Sequence, residues 1–189
     1  MPSMLFIVLL LSAPEIFSPY SFEQMELLIV LIFVTTFVIP LLSMSTLKLT
    51  GTISSFLLEK RKERLLPFFF TVFFYAITVY MFTYRIGQLD TITLLLGTIT
   101  VIILIVALLT IKIKVSAHSA GMGGGIGFLW ALKLTYPDMM LLWPILGTIL
   151  ITGGVMAARM YLNAHRPIEI YLGGAIGLVI SFCSILLWF

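Results

Sequence analysis

The sequence predicts an all-α fold: a polytopic membrane helical bundle of about six transmembrane helices with a short N-terminal helix. Three observations predict it. The chain is 61% hydrophobic and only 10% charged, against the roughly 25% charge of a soluble domain. Its mean hydropathy is +1.18. Its apolar runs are near the ~20 residues a helix needs to cross the hydrocarbon core, too long and too continuous for the alternating strands of a barrel. Backbone inside a bilayer must satisfy its own hydrogen bonds, which leaves helices.

The elements follow in order. Residues 1–23 form an N-terminal interfacial or partly inserted helix, with a full crossing as the alternative. Met4–Phe17 is short, broken by Pro14 and Glu15, and lacks the basic start of a signal peptide. Residues 24–189 form the six-helix core. Apolar runs place crossings at about 24–44, 66–85, 89–111, 118–134, 139–160 and 168–188. The run 118–134 is short and glycine-rich, and Gly121–Gly127 and Gly173–Gly177 suit close helix packing. The polar stretch 43–65 is the longest break and ends in Lys60-Arg61-Lys62-Glu63-Arg64. The single cysteine, Cys183, excludes an intrachain disulfide. No polar segment is long enough for a separate soluble module. The small net charge of +3 gives no reason to expect a nucleic-acid partner.

Counting crossings from the 43–65 break puts the run 60–64, the segment 112–118 and the segment 159–169 on one membrane face. Arg85–Asp90 and Pro137–Asp138 fall on the other. Charged groups at a bilayer boundary need a reason, and these three clusters hold the parts of a phosphate site. Arg61, Arg64 and Arg159 offer guanidinium forks for phosphate oxygens, and Ser116 and helix-start N–H groups add donors. Lys114 is a further candidate cation. His165 is placed to attack phosphorus. Glu169, four residues on, would share a helical face with it and orient its ring. His118 would protonate the leaving oxygen. Each has a plainer alternative: headgroup anchoring for 60–64, snorkelling for Arg159, an interfacial polar position for a histidine, packing for the glycines. A metal held by His118, His165 and Glu169 is disfavoured by the arginines around it.

Read together, Lys60–Pro67, Lys114–Gly121 and Ala158–Glu169 resemble the three signatures of the membrane type 2 phosphatidic acid phosphatase superfamily, in the same order. Those are a lysine followed by an arginine–proline pair, a Pro-Ser-Gly-His, and an S-R-x5-H-x3-D. The third is matched in spacing, with Ala158 for serine and Glu169 for aspartate. The second keeps Ser116 and His118, with Val115 and Ala117 for proline and glycine. In the first, Pro67 is present, but Leu66 stands where arginine is expected and Glu59 where lysine is expected. The likeness covers roughly residues 60–180 and is to a divergent, bacterial-type member.

The resemblance implies a membrane hydrolase of lipid metabolism. His165 would be the nucleophile of a phosphohistidine intermediate, His118 the acid, Glu169 the orienting carboxylate and Arg159 the phosphate clamp. No cofactor and no metal are implied. The expected partners are a lipid phosphate monoester or diphosphate and the surrounding membrane lipids. A lipid phosphotransferase of the same fold, and a non-catalytic lipid-binding or transport bundle, are the alternatives. Nine of the eleven Lys and Arg residues lie on the motif side, Arg85 and Lys133 being the exceptions. The positive-inside rule then points that face toward the cytoplasm, in a bacterial inner membrane.

Overall fold

The computed structural model describes residues 2–17, 20–56, 58, 61–86 and 90–189. Glu59, Lys60 and residues 87–89, where the sequence placed part of the first signature and part of a loop, lie outside the described residues. All regular structure among the described residues is helical. In chain order it is α1 (Pro2–Ser12), a 3-10 turn (Pro14–Phe17), α2 (Phe22–Phe33), a π turn (Val34–Val38), α3 (Ile39–Leu49), α4 (Arg61–Met81), a π turn (Phe82–Ile86), α5 (Asp90–Thr110), α6 (Ala117–Thr135), α7 (Leu142–Tyr161) and α8 (Pro167–Trp188). Among the described residues, five helical segments are long and apolar enough to cross a membrane: Phe22–Leu49, Arg61–Tyr84, Thr91–Thr110, Leu142–Tyr161 and Pro167–Trp188.

α1, with eleven residues, is about 16 Å long at 1.5 Å per residue, half of a hydrocarbon core. One face, with Met4 and Leu11, is exposed, and the other packs inward. Phe6 and Leu9, with Ala13 and Phe17 after them, are fully buried in the main core beside Ile92, Leu95 and Phe128. α2 begins at a capping box, in which Ser21 Oγ accepts from Gln24 N–H and Gln24 Oε1 accepts from Ser21 N–H. The sequence carried that signal at Ser21, three residues before the expected start at about 24. α2 and α3 run on through a π turn because Pro40 has no N–H to offer the carbonyl of Thr36. The Tyr75 hydroxyl of α4 donates to that carbonyl instead, at 2.8 Å.

The polar break is shorter than expected. α3 continues to Leu49 and α4 begins at Arg61, so the basic residues 61–64 sit on the first turn of a helix. Long charged side chains on a terminal turn can leave the apolar zone while the backbone stays helical.

α6 and α8 pack backbone to backbone. A Cβ on Gly123 would strike the Gly174 carbonyl, one on Gly127 that of Leu178, and one on Gly177 that of Ala120. Gly121 and Gly125 do not make this contact: Gly121 faces open space and Gly125 meets only the Thr148 methyl of α7. The ends of α6 and α8 stay in register along their length. Ser116 N–H donates to the Glu169 carbonyl at one end (3.1 Å), and the Tyr136 and Phe189 rings meet at the other. Large apolar side chains such as Leu150, Ile151, Leu187 and Val179 cover the outside.

Candidate functional site

The site is built on the turn between α7 and α8. Asn163 takes a left-handed conformation, φ 50°, which asparagine tolerates better than other non-glycine residues. Ala164 N–H donates to the Arg159 carbonyl and Asn163 N–H to that of Met160, so α7 closes in a Schellman turn. Pro167 then opens α8 at its first position. Between Asn163 and Pro167 lie only Ala164, His165 and Arg166, so His165 sits just before the start of α8.

His165 is therefore not on a helix, as the four-residue spacing suggested. Its pairing with Glu169 survives for a different reason. Glu169 is the third residue of α8, and its carboxylate reaches back over the helix start. Oε2 accepts from His165 Nδ1 at 2.8 Å and from Arg166 N–H at 3.3 Å. The capping geometry that begins the helix also orients the imidazole.

The other ring nitrogen meets Arg64. Nη1 of Arg64 lies 3.2 Å from His165 Nε2, and Nε of Arg64 donates to the Leu58 carbonyl at 2.6 Å. A guanidinium only donates, so Nε2 must accept and Nδ1 must carry the proton given to Glu169. The network thus fixes one tautomer of a neutral histidine. Burial pushes the His165 pKa down to about 4, against the upward pull of the hydrogen bond to Glu169, and the charges of Arg64 and Lys114 add to the lowering. Arg64 and His165 are both buried, 4% and 7% exposed.

Arg159, in the last turn of α7, lies within electrostatic range of both Arg64 and His118. Its Nε is buried and is the one such side-chain atom without a hydrogen-bond partner among the described residues. Lys114 donates from Nζ to the Ala164 carbonyl at 2.9 Å. An open cavity of about 610 Å³ lies over this turn, with Lys114, Met160, Asn163, His165, Arg166 and Glu169 in its lining. Arg64 and Arg159 do not line it.

The candidates from the sequence fall into two groups. His165, Glu169, Arg64, Arg159 and Lys114 converge. Arg61 and Ser116 have structural tasks of their own, and His118 lies at the edge of the group, within electrostatic range of Arg64 and Arg159. Arg61 is exposed and its Nη1 donates to the Lys112 carbonyl, tying α4 to the α5–α6 connection. Ser116 is fully buried and caps α6: its Oγ accepts from Ser119 N–H at 3.3 Å and from Ser119 Oγ at 2.9 Å. Its hydroxyl has a structural task that proximity in sequence to His118 did not reveal. His118 is exposed on the first turn of α6, and its imidazole makes no hydrogen bond among the described residues.

Sequence reasoning missed two contributors, the Leu58 carbonyl and Asn163. The first is a backbone group and has no residue signature. The second was legible, since an asparagine between an apolar run and a proline marks a helix stop and restart. Among the described residues no group of three or more His, Cys, Asp or Glu side chains could hold a metal.

No family model matches the chain, and no curated protein or solved structure matches it either.

Proposed function

We propose that the protein is an integral membrane phosphatase, similar to the type 2 phosphatidic acid phosphatases, that hydrolyses a lipid phosphate monoester or diphosphate through a phosphohistidine on His165. The observation that carries this reading is the Arg64–His165–Glu169 chain beside Arg159, whose buried Nε lacks a partner. Two guanidinium groups within range of each other, with one donor unmet, make a place for an anion. A neutral imidazole with its Nδ1–H held by a carboxylate is the nucleophilic form. Arg64 supplies the cation that the first signature lacks at Leu66.

In this reaction His165 Nε2 attacks phosphorus as the bond to the ester oxygen breaks. Glu169 stabilises the charge that develops on the ring. His118 gives a proton to the leaving oxygen and takes one from the water that then attacks the phosphohistidine, which releases phosphate and restores Nε2. Arg64 and Arg159 hold the phosphoryl oxygens. Exposed Tyr161, Leu162, Ile168 and Tyr171 flank the turn, and supply an apolar rim that suits a substrate anchored by a lipid tail. In this reading α6 is the sixth crossing. The site faces the cytoplasm of a bacterial inner membrane, because most cations cluster at its end of the bundle.

Phosphate release by the purified protein from a panel of lipid phosphates tests the reading. His165→Ala is expected to abolish release, and His118→Ala to reduce it about 10²–10⁴-fold. Undiminished release in both variants would refute the mechanism. No release from any substrate by the wild type would favour a lipid-binding bundle.

A further inference from the structure

We propose that Arg64 is a removable cover on His165: in the free protein its guanidinium occupies the Nε2 lone pair, and a phosphate dianion draws it off. The inference rests on the phosphate-site reading for the identity of that anion.

The geometry leaves one arrangement. Arg64 can only donate, and its Nη1 is 3.2 Å from His165 Nε2. The lone pair that would attack phosphorus is therefore engaged. The cavity is lined by His165 and Glu169 but not by Arg64, and Nε2 is the ring atom that meets Arg64. Glu169 holds Nδ1, which prevents the ring from turning over to offer the other nitrogen.

The cover is also poised to move. Arg64 is buried beside a second guanidinium, Arg159, and its present acceptors are a backbone carbonyl and a neutral ring nitrogen. Both are weaker partners than an ionised oxygen. A phosphate dianion set between Arg64 and Arg159 would give both guanidiniums a charged acceptor and leave Nε2 free. Arg64 thereby also selects substrate. A doubly charged phosphate end draws the cover off, whereas a singly charged phosphodiester has fewer ionised oxygens for two guanidiniums. A histidine that is bare only when a dianion is bound is protected from adventitious electrophiles.

Carbethoxylation by diethyl pyrocarbonate, which needs a free imidazole nitrogen, tests the cover without any turnover. The chain has two histidines, so His118 serves as the internal reference in peptide mass spectrometry of the purified full chain. In the wild type His165 is expected to react at least about tenfold more slowly than His118, the scale of one hydrogen bond to a charged group. Arg64→Ala should raise the His165 rate about tenfold. Arg64→Lys keeps the charge but cannot reach both the Leu58 carbonyl and Nε2, and should raise it too, which covers the case in which Arg64→Ala fails to fold. Equal wild-type reactivity of the two histidines, or no rise in the variants, overturns the cover. Release is read by ¹⁵N-histidine NMR. Inorganic phosphate should move His165 Nε2 toward an unbonded imine nitrogen in the wild type and leave it unmoved in Arg64→Lys. Phosphate that binds with wild-type Nε2 unmoved overturns release. Absence of phosphate binding overturns release together with the phosphate-site reading, and the carbethoxylation contrast distinguishes that outcome from failure of the cover.

Discussion

His165 is a buried imidazole held neutral between a carboxylate and a guanidinium, and its pH dependence follows. In the unfolded chain it titrates near 6.5; in the folded protein burial lowers this to about 4. Above about 6.5 both states are neutral and the His165 contribution to stability is fully present. As pH falls from about 6.5 to about 4 the unfolded chain takes up a proton that the folded one refuses, so stability is lost across that window and levels off below it. Thermal midpoints measured in detergent should fall between these limits, and His165→Asn should make the slope shallower. An unchanged slope would mean that His165 is not buried as described. Arg159 carries the opposite trade. Its Nε is unmet and it adds a second guanidinium beside Arg64, so Arg159→Met should leave the anion-free protein as stable or more stable, by up to about 2 kcal/mol. The same variant should lose phosphate release. A variant that unfolds more easily and still turns over would contradict the assigned role.

At the scale of elements, the α6–α8 contact positions the site. The Ser116 N–H to Glu169 carbonyl bond joins the start of α6 to the first turn of α8, and the glycines below it let the two backbones touch. Gly177→Ala would drive a Cβ into the Ala120 carbonyl and is expected to cost about 1–3 kcal/mol. Gly121→Ala faces open space and should gain roughly 0.5–1 kcal/mol from the helix interior. Unfolding midpoints of the pair check this, and similar midpoints would show that the close contact is not formed. The α7–α8 turn was partly legible in the sequence. The R-x5-H-x3-E spacing picked out residues that come together at this turn, but a helical face was the wrong geometry. Asn163 stops one helix and Pro167 starts the next, so Glu169 reaches His165 as a capping residue.

At the scale of the whole molecule, the convergence of three distant polar clusters was the strongest result of the sequence. Run lengths placed three polar clusters at one end, and the Arg61–Lys112, Arg64–His165 and Lys114–Ala164 contacts bring them together. Hydrophobic length is a property of composition, so it can be read directly. The choice between Arg61 and Arg64 could not be, because both stand on the first turn of α4 and only packing decides which is buried. Ser116 was likewise ambiguous, since a serine before a helix serves equally as cap or ligand. The burial of one face of α1 was hidden for the same reason: a short, mostly apolar helix looks alike at an interface and against a core. With Cys183 replaced by serine, a single cysteine at exposed Thr52 and one at exposed Asp138 should be labelled from opposite sides of a sealed vesicle. Labelling of both from one side would overturn the crossing order.

The central claim is that His165 accepts a phosphoryl group, and trapping the phosphorylated protein tests it most directly. Purified protein quenched during turnover of a ³²P-labelled lipid phosphate should carry acid-labile, alkali-stable label on the peptide containing His165, and none in His165→Ala. Steady phosphate release with no label on that peptide, or release that persists in His165→Ala, would contradict the account.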